Sequence, residues 1–473
     1  MDGNRGKLRH RVGACRRALA RAGGSLPLGL TCENFAWVAV ALGLILRVWE
    51  YLEFRLLHID EEALLSNLVG RGILDFHQIL DQDQIAPPGF LVIERLLVRL
   101  PLDVRASGRL LPFCCGLASV FLMHQAARRF LDRRIVPMAV GLFALGDHLL
   151  YYSAEIKQYS SDLMTAAAAL CLAAGSWGGR EGKEVLWPLA IFGLVAPWFS
   201  FPVVFLLAAT GVYLFVPAAK AWRWQACARM TLVGLGWLLS FAGSLGLSRS
   251  VLSKRDFLWV WWNFAFLPFP PHSLADLSHL AETLANVFIN PVGLLTPLSL
   301  PATAVLASAL AVIGCVSLGR RWPGGLFLLV APLLFALLAS SLRQYPFHGR
   351  LLMFLVPTFL LLPSEGAAAI GRRTSWLVTL CLAAFLVYGQ AADVFWHKMV
   401  QSRCRPFDSH GDLKSDLLDY LELQRKGRTP PFSRWRSPWP VDGPPGLSYN
   451  GHHVPGEGKR AEPRQRSGIL ASP

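Results

Sequence analysis

The amino-acid sequence predicts an all-α polytopic membrane protein, and both its composition and the spacing of its apolar segments support this fold class. Hydrophobic residues make up 53% of the 473 residues, whereas charged residues make up only 16%. A soluble domain carries about a quarter charged residues, so this chain has too few charges to cover a soluble surface. Apolar stretches recur from Phe35 to Trp396, and many come near the roughly 20 residues that a helix needs to cross a bilayer.

We expect about eleven transmembrane helices from the number and length of these stretches. The first stretch follows a basic N-terminus, and no small-residue cleavage site comes after it, which favours an uncleaved span over a signal peptide. The expected spans cover residues 34–54, 109–127, 135–152, 163–178, 185–199, 201–217, 230–248, 296–318, 325–342, 351–364 and 375–396.

One further apolar segment, Pro88–Leu100, is too short to cross the membrane straight, and it carries Glu94, Arg95 and Arg99. A charged segment of this length is typical of an amphipathic helix that lies in the membrane interface. We therefore expect an interfacial helix within the first outer loop, residues 55–108.

The basic residues indicate which side of the membrane each loop faces, because loops rich in Lys and Arg stay in the cytoplasm. The formal net charge is +15, and the basic residues are spread between apolar stretches, which argues against nucleic-acid binding. With the N-terminus inside, every loop that must be cytoplasmic carries basic residues. They are Arg128, Arg129, Arg133, Arg134, Arg180, Lys183, Lys220, Arg223, Arg229, Arg320, Arg321, Arg372 and Arg373.

This topology also divides the chain into parts. We expect a basic cytoplasmic N-terminus (1–33), a transmembrane domain (34–400) with a large outer loop at 250–295, and a Pro/Arg-rich outer tail (401–473) that is disordered. The nine cysteines show no paired spacing of the kind that binds a metal or forms a redox site.

Four polar segments are then expected on the outer side. They are the acidic stretch that begins at His58, the segment Ser153–Asp162, the loop Ser250–Leu295 and the turn Arg343–Arg350. Solvated loops, an aromatic belt and headgroup anchors would explain many of their residues. Those interpretations do not explain three charged residues in one short turn, at 155, 157 and 162. The turn Arg343–Arg350 carries an arginine at each end, and arginine suits a phosphate because its guanidinium forms paired hydrogen bonds.

Five motifs in chain order resemble those of GT-C glycosyltransferases of the protein-mannosyltransferase and aminoarabinose-transferase superfamily. The likeness is closest to the bacterial family-39-like enzymes that act on lipopolysaccharide core and lipid A, and it covers residues 34–400. The matching residues are Asp60 and Glu61 with Leu64 and Asn67, then Gln84 to Phe90, Arg109 with Leu110, Tyr152 to Asp162, and Tyr345 to Arg350.

The resemblance implies a GT-C fold and an enzyme of the inner cell membrane whose active site faces away from the cytoplasm. It would transfer a hexose or pentose from a polyprenyl-phosphate donor, by inverting displacement, to a hydroxyl of a glycan, lipid or protein acceptor in the cell envelope. Membrane lipids are expected partners as well, and nucleic acid is not.

The resemblance also implies roles for single residues. Asp60 is the expected catalytic base, with Glu61 as the second choice, since the attacking hydroxyl must lose a proton. Lys157, Arg109 and Arg350 are expected to bind the donor phosphate. The expected substrate-binding residues are Glu155, Tyr159, Gln84 and Asn67. Asp60 and Asp162 could hold a divalent metal, as in some GT-C enzymes, and no other cofactor is expected.

Three other interpretations stay open at this point. A lipid or sugar transporter without catalytic activity would place ionisable residues in mid-membrane and show repeat symmetry. Here the charged residues gather at the ends of spans, and no repeat is evident. A catalytically inactive relative that serves in assembly, and an oligosaccharide ligase with a pyrophosphate donor, are the remaining two.

Overall fold

The computed structural model describes residues 31–53, 55, 57–175, 183–253, 259, 260 and 262–396. All of them belong to the first of two compact units, residues 1–429, and the second unit, 430–473, lies outside the described residues. The expected basic N-terminus up to residue 30 and the expected outer tail, 401–473, also lie outside them.

The described part of the chain is helical and contains no strand, which confirms the all-α polytopic prediction. The α-helices in chain order are α1 (Cys32–Leu52), α2 (Ile59–Gly70), α3 (Pro88–Leu97), α4 (Val104–Phe130), α5 (Val136–Leu145), α6 (Asp147–Tyr152), α7 (Tyr159–Gly175), α8 (Lys183–Val195), α9 (Val203–Lys220), α10 (Trp224–Leu247), α11 (Arg249–Ser253), α12 (Leu274–Asn286), α13 (Leu300–Arg321), α14 (Pro323–Ser341), α15 (Val356–Arg373) and α16 (Trp376–Phe395). Short 3₁₀ helices occur at Ile73–His77, Ala196–Trp198, Asn263–Ala265 and Gly349–Leu355.

Among the described residues, eight helices are long and apolar enough to cross a membrane, so the chain is a multi-pass membrane protein. These eight are α1, α4, α9, α10, α13, α14, α15 with its preceding 3₁₀ turn, and α16. The other three expected spans correspond to shorter or interrupted helices. The first is α5 followed by α6, the second is α7 alone, and the third is α8 with the 3₁₀ turn after it. The count of eleven therefore stays a prediction.

The expected span 135–152 is broken at Gly146, between α5 and α6. The last carbonyls of a helix have no partner within that helix, and inside a membrane protein they need one. Arg47 of α1 supplies one, because its guanidinium donates to the carbonyl of Phe143 in α5 at 3.4 Å. The same guanidinium is held in place by the carbonyl of Gly43, one turn earlier in α1, at 3.0 Å. A fully buried arginine thus stabilises the interruption.

Helix α7 begins at Tyr159, four residues before the expected start of that span at 163. The added residues are polar but buried, and the hydroxyls of the two serines find partners within the protein. Ser160 donates to the carbonyl of Tyr152 at 2.8 Å, and Ser161 to that of Phe199 at 2.7 Å. Because these groups are satisfied, helical backbone is stable where a loop was expected.

Helix α15 lies at the centre of the bundle, since 94% of its apolar stretch is buried, compared with at most 50% in the other membrane-crossing helices. Glycines let α13 approach it closely. A Cβ atom added at Gly314 would lie 1.9 Å from the carbonyl oxygen of Leu362, and one at Gly366 would lie 1.9 Å from that of Leu310. Small residues at a membrane helix interface allow such backbone contact.

A helix, α3, is present where an interfacial helix was expected; it begins at Pro88, where a proline suits the first helical turn, and ends at Leu97. Its position in the membrane interface stays a prediction. Glu94 is fully buried in it, and neither of its carboxylate oxygens has a hydrogen-bond partner in the described part of the chain. Burial raises the pKa of Glu94 well above its usual value. Not all the charged residues of α3 therefore face solvent.

Candidate active site

The four polar segments expected on the outer side contact one another at one end of the bundle. Asp60 of the acidic stretch pairs with Arg350, and Glu61 accepts a hydrogen bond from the backbone of Ile156. The long loop joins them through two hydrogen bonds: the backbone N–H of Phe347 donates to the carbonyl of Ala265 at 2.8 Å, and that of Leu80 donates to the Ser250 hydroxyl at 2.8 Å.

The start of α2 orients the two acidic residues. His58 is the N-cap residue, and its Nδ1 accepts a hydrogen bond from the backbone N–H of Asp60 at 3.3 Å. The carboxylate of Glu61 returns to the backbone N–H of His58 at 2.9 Å, which completes a capping box. Both carboxylates lie at the positive end of the helix dipole, which favours their charged form.

Glu61 is fully buried and held by five donors. The guanidinium of Arg109 binds both its oxygens, at 3.0 Å each, and that of Arg55 binds Oε2 at 3.2 Å. The backbone N–H of Ile156 donates to Oε1 at 3.0 Å, in addition to the bond from His58. Burial alone would raise the pKa of Glu61, but the charges of Arg109 and Arg55 outweigh it and hold that pKa below the usual range.

These contacts correct two expectations. Glu61 has no exposed surface and no oxygen to spare for an attacking hydroxyl, so it does not fit the role of second candidate base. Arg109 is only 1% exposed and forms a paired interaction with Glu61, so it does not fit the role of a donor-phosphate ligand. The two residues join α2 to α4 and orient the site.

Arg55 belongs to the same cluster, and the sequence interpretation missed it. Its guanidinium donates to the carbonyl of Ala154 at 3.0 Å, lies 3.9 Å from the ring centre of Tyr151 and approaches Glu50 at 3.6 Å. The signal was present in the sequence, because Arg55 directly follows the first expected span, on the side where basic residues are disfavoured.

Asp60, in contrast to Glu61, keeps part of its surface open, with 25% of its side chain exposed. Its Oδ2 accepts a hydrogen bond from Nη2 of Arg350 at 2.5 Å. Partial burial alone would raise the pKa of Asp60, but the charges of Lys157 and Arg350 hold it below the usual range. Asp60 is therefore an ionised carboxylate with two neighbouring cations and access to the surface.

Lys157 is buried next to Asp60, and its ammonium group donates to Oε1 of Gln84. The amide of Gln84 is oriented from its other side, since its Nε2 donates to the carbonyl of Gln82 at 2.9 Å. Burial lowers the pKa of Lys157, although the nearby Asp60 and Glu155 favour its charged form. The structure thus brings Gln84 and Lys157 together, as the motifs led us to expect.

Glu155 lies at the back of the site and is only 1% exposed. Its Oε2 has no hydrogen-bond partner among the described residues. Burial, reinforced by the negative charge of Glu61, raises the pKa of Glu155 to about 7, even though Arg350 and Lys157 act in the opposite direction. This carboxyl therefore changes its charge near neutral pH.

Tyr159 lies beside Arg350, whose guanidinium carbon is 5.4 Å from the centre of the Tyr159 ring. The ring of Tyr152 meets that of Tyr159 edge to face at 5.4 Å. Arg350 keeps 29% of its side chain exposed, so a ligand can reach it. The turn before α15 therefore presents its arginine between Asp60 and an aromatic face.

Asn67 is placed differently from what we expected of a substrate-binding residue. It is 2% exposed, and its amide is used within the protein. Its Nδ2 donates to the carbonyl of Ala63 at 2.8 Å and to that of Asp81 at 3.2 Å, and its Oδ1 accepts from the backbone N–H of Asp81 at 2.8 Å. Asn67 therefore positions the loop that leads to Gln84.

The residues present do not fit a divalent metal. Asp60 is occupied by Arg350 and lies beside Lys157, and these cations would oppose a metal ion. Asp162 is buried in α7 beside Ser200 and has an unpartnered Oδ1. Within the described ranges, no three His, Cys, Asp or Glu side chains come together as a group that could hold a metal.

No protein-family model matches the chain, and no curated protein matches it in sequence. Solved structures that are similar include an oligosaccharyltransferase from Archaeoglobus fulgidus in complex with Zn and sulfate, at 10% identity and a TM-score of 0.46 over 81% of this chain. The same archaeal enzyme tethered to an acceptor peptide with an NVT sequon matches at 12% identity and a TM-score of 0.44 over 82% of this chain. The chain spans 57% and 58% of the length of these two archaeal chains.

ArnT from Cupriavidus metallidurans in the apo state is also similar, at 12% identity and a TM-score of 0.46, over 84% of this chain and 76% of that one. At 10–12% identity, these likenesses do not indicate what this chain binds or transfers.

Proposed function

We propose that the chain is a membrane glycosyltransferase of the GT-C type, which moves a sugar from a polyprenyl-phosphate donor to an acceptor hydroxyl on the extracytoplasmic face of the inner membrane. One observation carries the proposal. A partly exposed carboxylate, Asp60, lies next to two cations, Lys157 and Arg350, which come from distant parts of the chain. A base beside two phosphate ligands is what this transfer requires.

In the proposed reaction, the acceptor oxygen attacks the anomeric carbon of the donor sugar from the face opposite the phosphate. The new C–O bond forms as the bond to the lipid phosphate oxygen breaks, and the anomeric configuration inverts. Asp60 takes the proton from the acceptor hydroxyl. General base catalysis of this kind contributes about 10²–10⁴-fold.

The leaving lipid phosphate gains negative charge as the bond breaks, so cations at that position stabilise the transition state more than the ground state. Lys157 and Arg350 are the two candidates. Arg350 is partly exposed and can exchange Asp60 for a phosphate oxygen, which would also free the carboxylate to act as the base. Lys157, being buried, would supply a fixed charge whose effect solvent weakens little.

Glu155, Tyr159 and Gln84 surround these three groups. Gln84 orients the ammonium of Lys157, and Tyr159 provides an aromatic wall beside Arg350. Glu155 compensates the positive charge of the site when ionised. The cluster of Glu61, Arg109 and Arg55 positions the site, because it fixes α2, α4 and the turn at Ala154 relative to one another.

Helix α3 would guide the polyprenyl chain of the donor to this site. It begins four residues after Gln84, and two apolar residues at its end are exposed: Leu96 within the helix, at 47%, and Leu100 just after it, at 37%. Gly89 lets α3 approach the backbone near Trp198, since a Cβ atom there would lie 2.7 Å from the Trp198 carbonyl oxygen. A lipid tail can thus run along α3 while its phosphate reaches Lys157 and Arg350.

The proposal is tested by offering the purified protein polyprenyl-phosphate sugars and, separately, polyprenyl-pyrophosphate sugars, with candidate envelope glycans, lipids and peptides as acceptors. Release of lipid phosphate, together with a glycosylated acceptor, is the expected result for at least one donor. The same preparation in proteoliposomes is assayed for movement of the donor across the bilayer.

Three outcomes would overturn the proposal. Movement of lipid or sugar without any turnover would establish the transporter. Turnover of lipid pyrophosphate donors alone would establish the oligosaccharide ligase. Failure of every donor with a correctly folded protein that co-purifies with a glycosyltransferase would establish the inactive assembly partner.

A further inference from the structure

A second cluster of charged residues lies at the other end of the bundle. Helix α4 carries Arg109 near its start and Phe130 at its end, and the separation of 21 positions corresponds to about 30 Å of helix. There the turn after α4 meets the ends of α13 and α15 and the start of α16. A cavity of about 90 Å³ opens between them, lined by Asp132, Arg134, Gly371, Arg372 and Trp376.

Buried ionic contacts hold the walls of this arginine-lined pocket. Glu365 is fully buried and accepts from Arg372 at 2.6 Å and from Arg321 at 3.1 Å. Arg321 also donates to the carbonyl of Phe130 at 2.6 Å, and Arg372 donates to the Ser317 hydroxyl at 2.8 Å. One carboxylate is therefore shared by two arginines, so the wall has an excess of positive charge.

More positive charge surrounds the opening. The guanidinium of Arg134 lies 5.8 Å from the centre of the Trp376 ring. Arg133, Arg134 and Arg373 are exposed, and within the described ranges no carboxylate forms an ion pair with any of them. Asp132 is the acidic residue of the pocket, and its side chain accepts from the backbone N–H of Arg134 at 3.2 Å.

We infer that this pocket binds the phosphate headgroup of an anionic phospholipid of the cytoplasmic leaflet. Arginine guanidinium groups form paired, charge-assisted hydrogen bonds with phosphate, and basic pockets between membrane helices suit acidic headgroups. About 10–15 Å³ of such cavity space holds one water molecule, so about 90 Å³ has room for a group of several heavy atoms such as a phosphate. This inference does not depend on the proposed transfer reaction.

The surface next to the pocket favours a lipid over a soluble phosphate. Trp376 is the first residue of α16, and two leucines in the next turn face outward. Leu377 and Leu380 are 67% and 53% exposed, so an apolar surface begins where the arginines end. A phospholipid would place its headgroup between Arg134 and Arg372 and its acyl chains along α16. The arginine-rich loops belong to the cytoplasmic side by the positive-inside rule.

Binding is tested with the full-length protein in detergent, by native mass spectrometry and by titration with short-chain dioctanoyl lipids. Dioctanoyl phosphatidylglycerol, dioctanoyl phosphatidylcholine and inorganic phosphate are compared. The variants are Arg134→Gln and Arg372→Gln, separately and combined, because these two arginines line the pocket. Arg229→Gln is the matched control. Arg229 is exposed near the start of α10, on the expected cytoplasmic side, and it does not line the pocket.

We expect phosphatidylglycerol to bind more tightly than phosphatidylcholine. Each pocket variant should weaken phosphatidylglycerol binding by about fivefold, the effect of one basic residue near an anionic lipid, and the control should not. Equal binding of the two lipids, or equal effects of Arg229→Gln and the pocket variants, would overturn the inference. If inorganic phosphate at the same concentration displaces the lipid, the ligand of the pocket is a soluble anion and not a lipid, and the inference is overturned as well.

Discussion

Asp60 and Arg350 form an ion pair across 290 positions of the chain, with Nη2 of the arginine 2.5 Å from Oδ2 of the carboxylate. The pair joins the start of α2 to the 3₁₀ turn before α15, the most enclosed membrane-crossing helix. The acidic group proposed as the base and a cation proposed for the phosphate are thus adjacent before any substrate binds.

Replacing Asp60 tests the base directly. Asp60→Asn keeps the shape of the side chain but cannot accept the acceptor proton, so we expect the rate of lipid-phosphate release to fall by about 10²–10⁴-fold with little change in thermal stability. Asp81→Asn is the control, since it makes the same chemical change on a carboxylate that is 73% exposed and pairs with Arg71. Equal rates for both variants would assign the proton transfer to another group.

Removing the charge of Lys157 tests transition-state stabilisation. Lys157→Met keeps the length of the side chain, and we expect kcat to fall by about 10²–10³-fold with a smaller change in KM for the donor, because the charge acts mainly on the leaving phosphate. Arg71→Gln removes a cation of the expected first outer loop, where it pairs with the 73% exposed Asp81, and should leave both parameters near wild type. A rise in donor KM at constant kcat would mean that Lys157 stabilises the bound donor and the transition state equally, and does not act selectively on the leaving phosphate.

Glu61→Gln tests the structural role of the buried cluster. It removes the charge of the buried carboxylate that Arg109 and Arg55 share, and breaking such a buried ion pair costs about 3–5 kcal/mol. The thermal midpoint in detergent, followed by intrinsic tryptophan fluorescence, should drop clearly. Asp81→Asn breaks an exposed pair worth at most about 1 kcal/mol and serves as the comparison. If both variants have the same thermal midpoint, Glu61 does not hold the segments in place.

Glu155 makes the stability of the protein depend on pH. Its pKa is raised by burial to about 7, so between the usual pKa of a glutamate and about 7 the folded protein holds a proton that the unfolded chain has released. The stability from this group is present at low pH and is lost as pH rises toward 7. The thermal midpoint of wild type should therefore fall relative to that of Glu155→Gln between pH 5 and pH 8. A difference between the two that stays constant over this range would contradict the assignment.

Metal removal gives a further test of the site. Asp60 is engaged by Arg350 and flanked by Lys157, so we expect donor turnover to survive treatment with EDTA and dialysis. Restoration of lost activity by Mg²⁺, Mn²⁺ or Ca²⁺ after EDTA would show that the site rearranges around a cation. Asp60→Asn and wild type are compared by metal titration to see whether this carboxylate binds the ion.

Much of the site could be predicted from the sequence because its residues occur in short local motifs at the ends of apolar segments. Asp60, Gln84, Lys157 and Arg350 were expected together, and the structure brings them together. The roles of Glu61, Arg109 and Asn67 could not be predicted in this way. An acidic or amide side chain looks the same in a motif whether it faces a cavity or is saturated by neighbours, and burial distinguishes the two cases.

Hydropathy and charge spacing in the chain were sufficient for the membrane class, the helical fold and the grouping of the polar segments, because a bilayer admits few backbone structures and sorts basic loops to one side. The pairing of side chains depended on three-dimensional packing. Whether Asp60 or Glu61 remains open to a substrate depends on which of them meets Arg109 and Arg55, whose positions are set by contacts between helices far apart in the sequence. The break at Gly146, capped by Arg47, and the early start of α7 follow from the same kind of long-range hydrogen bonding.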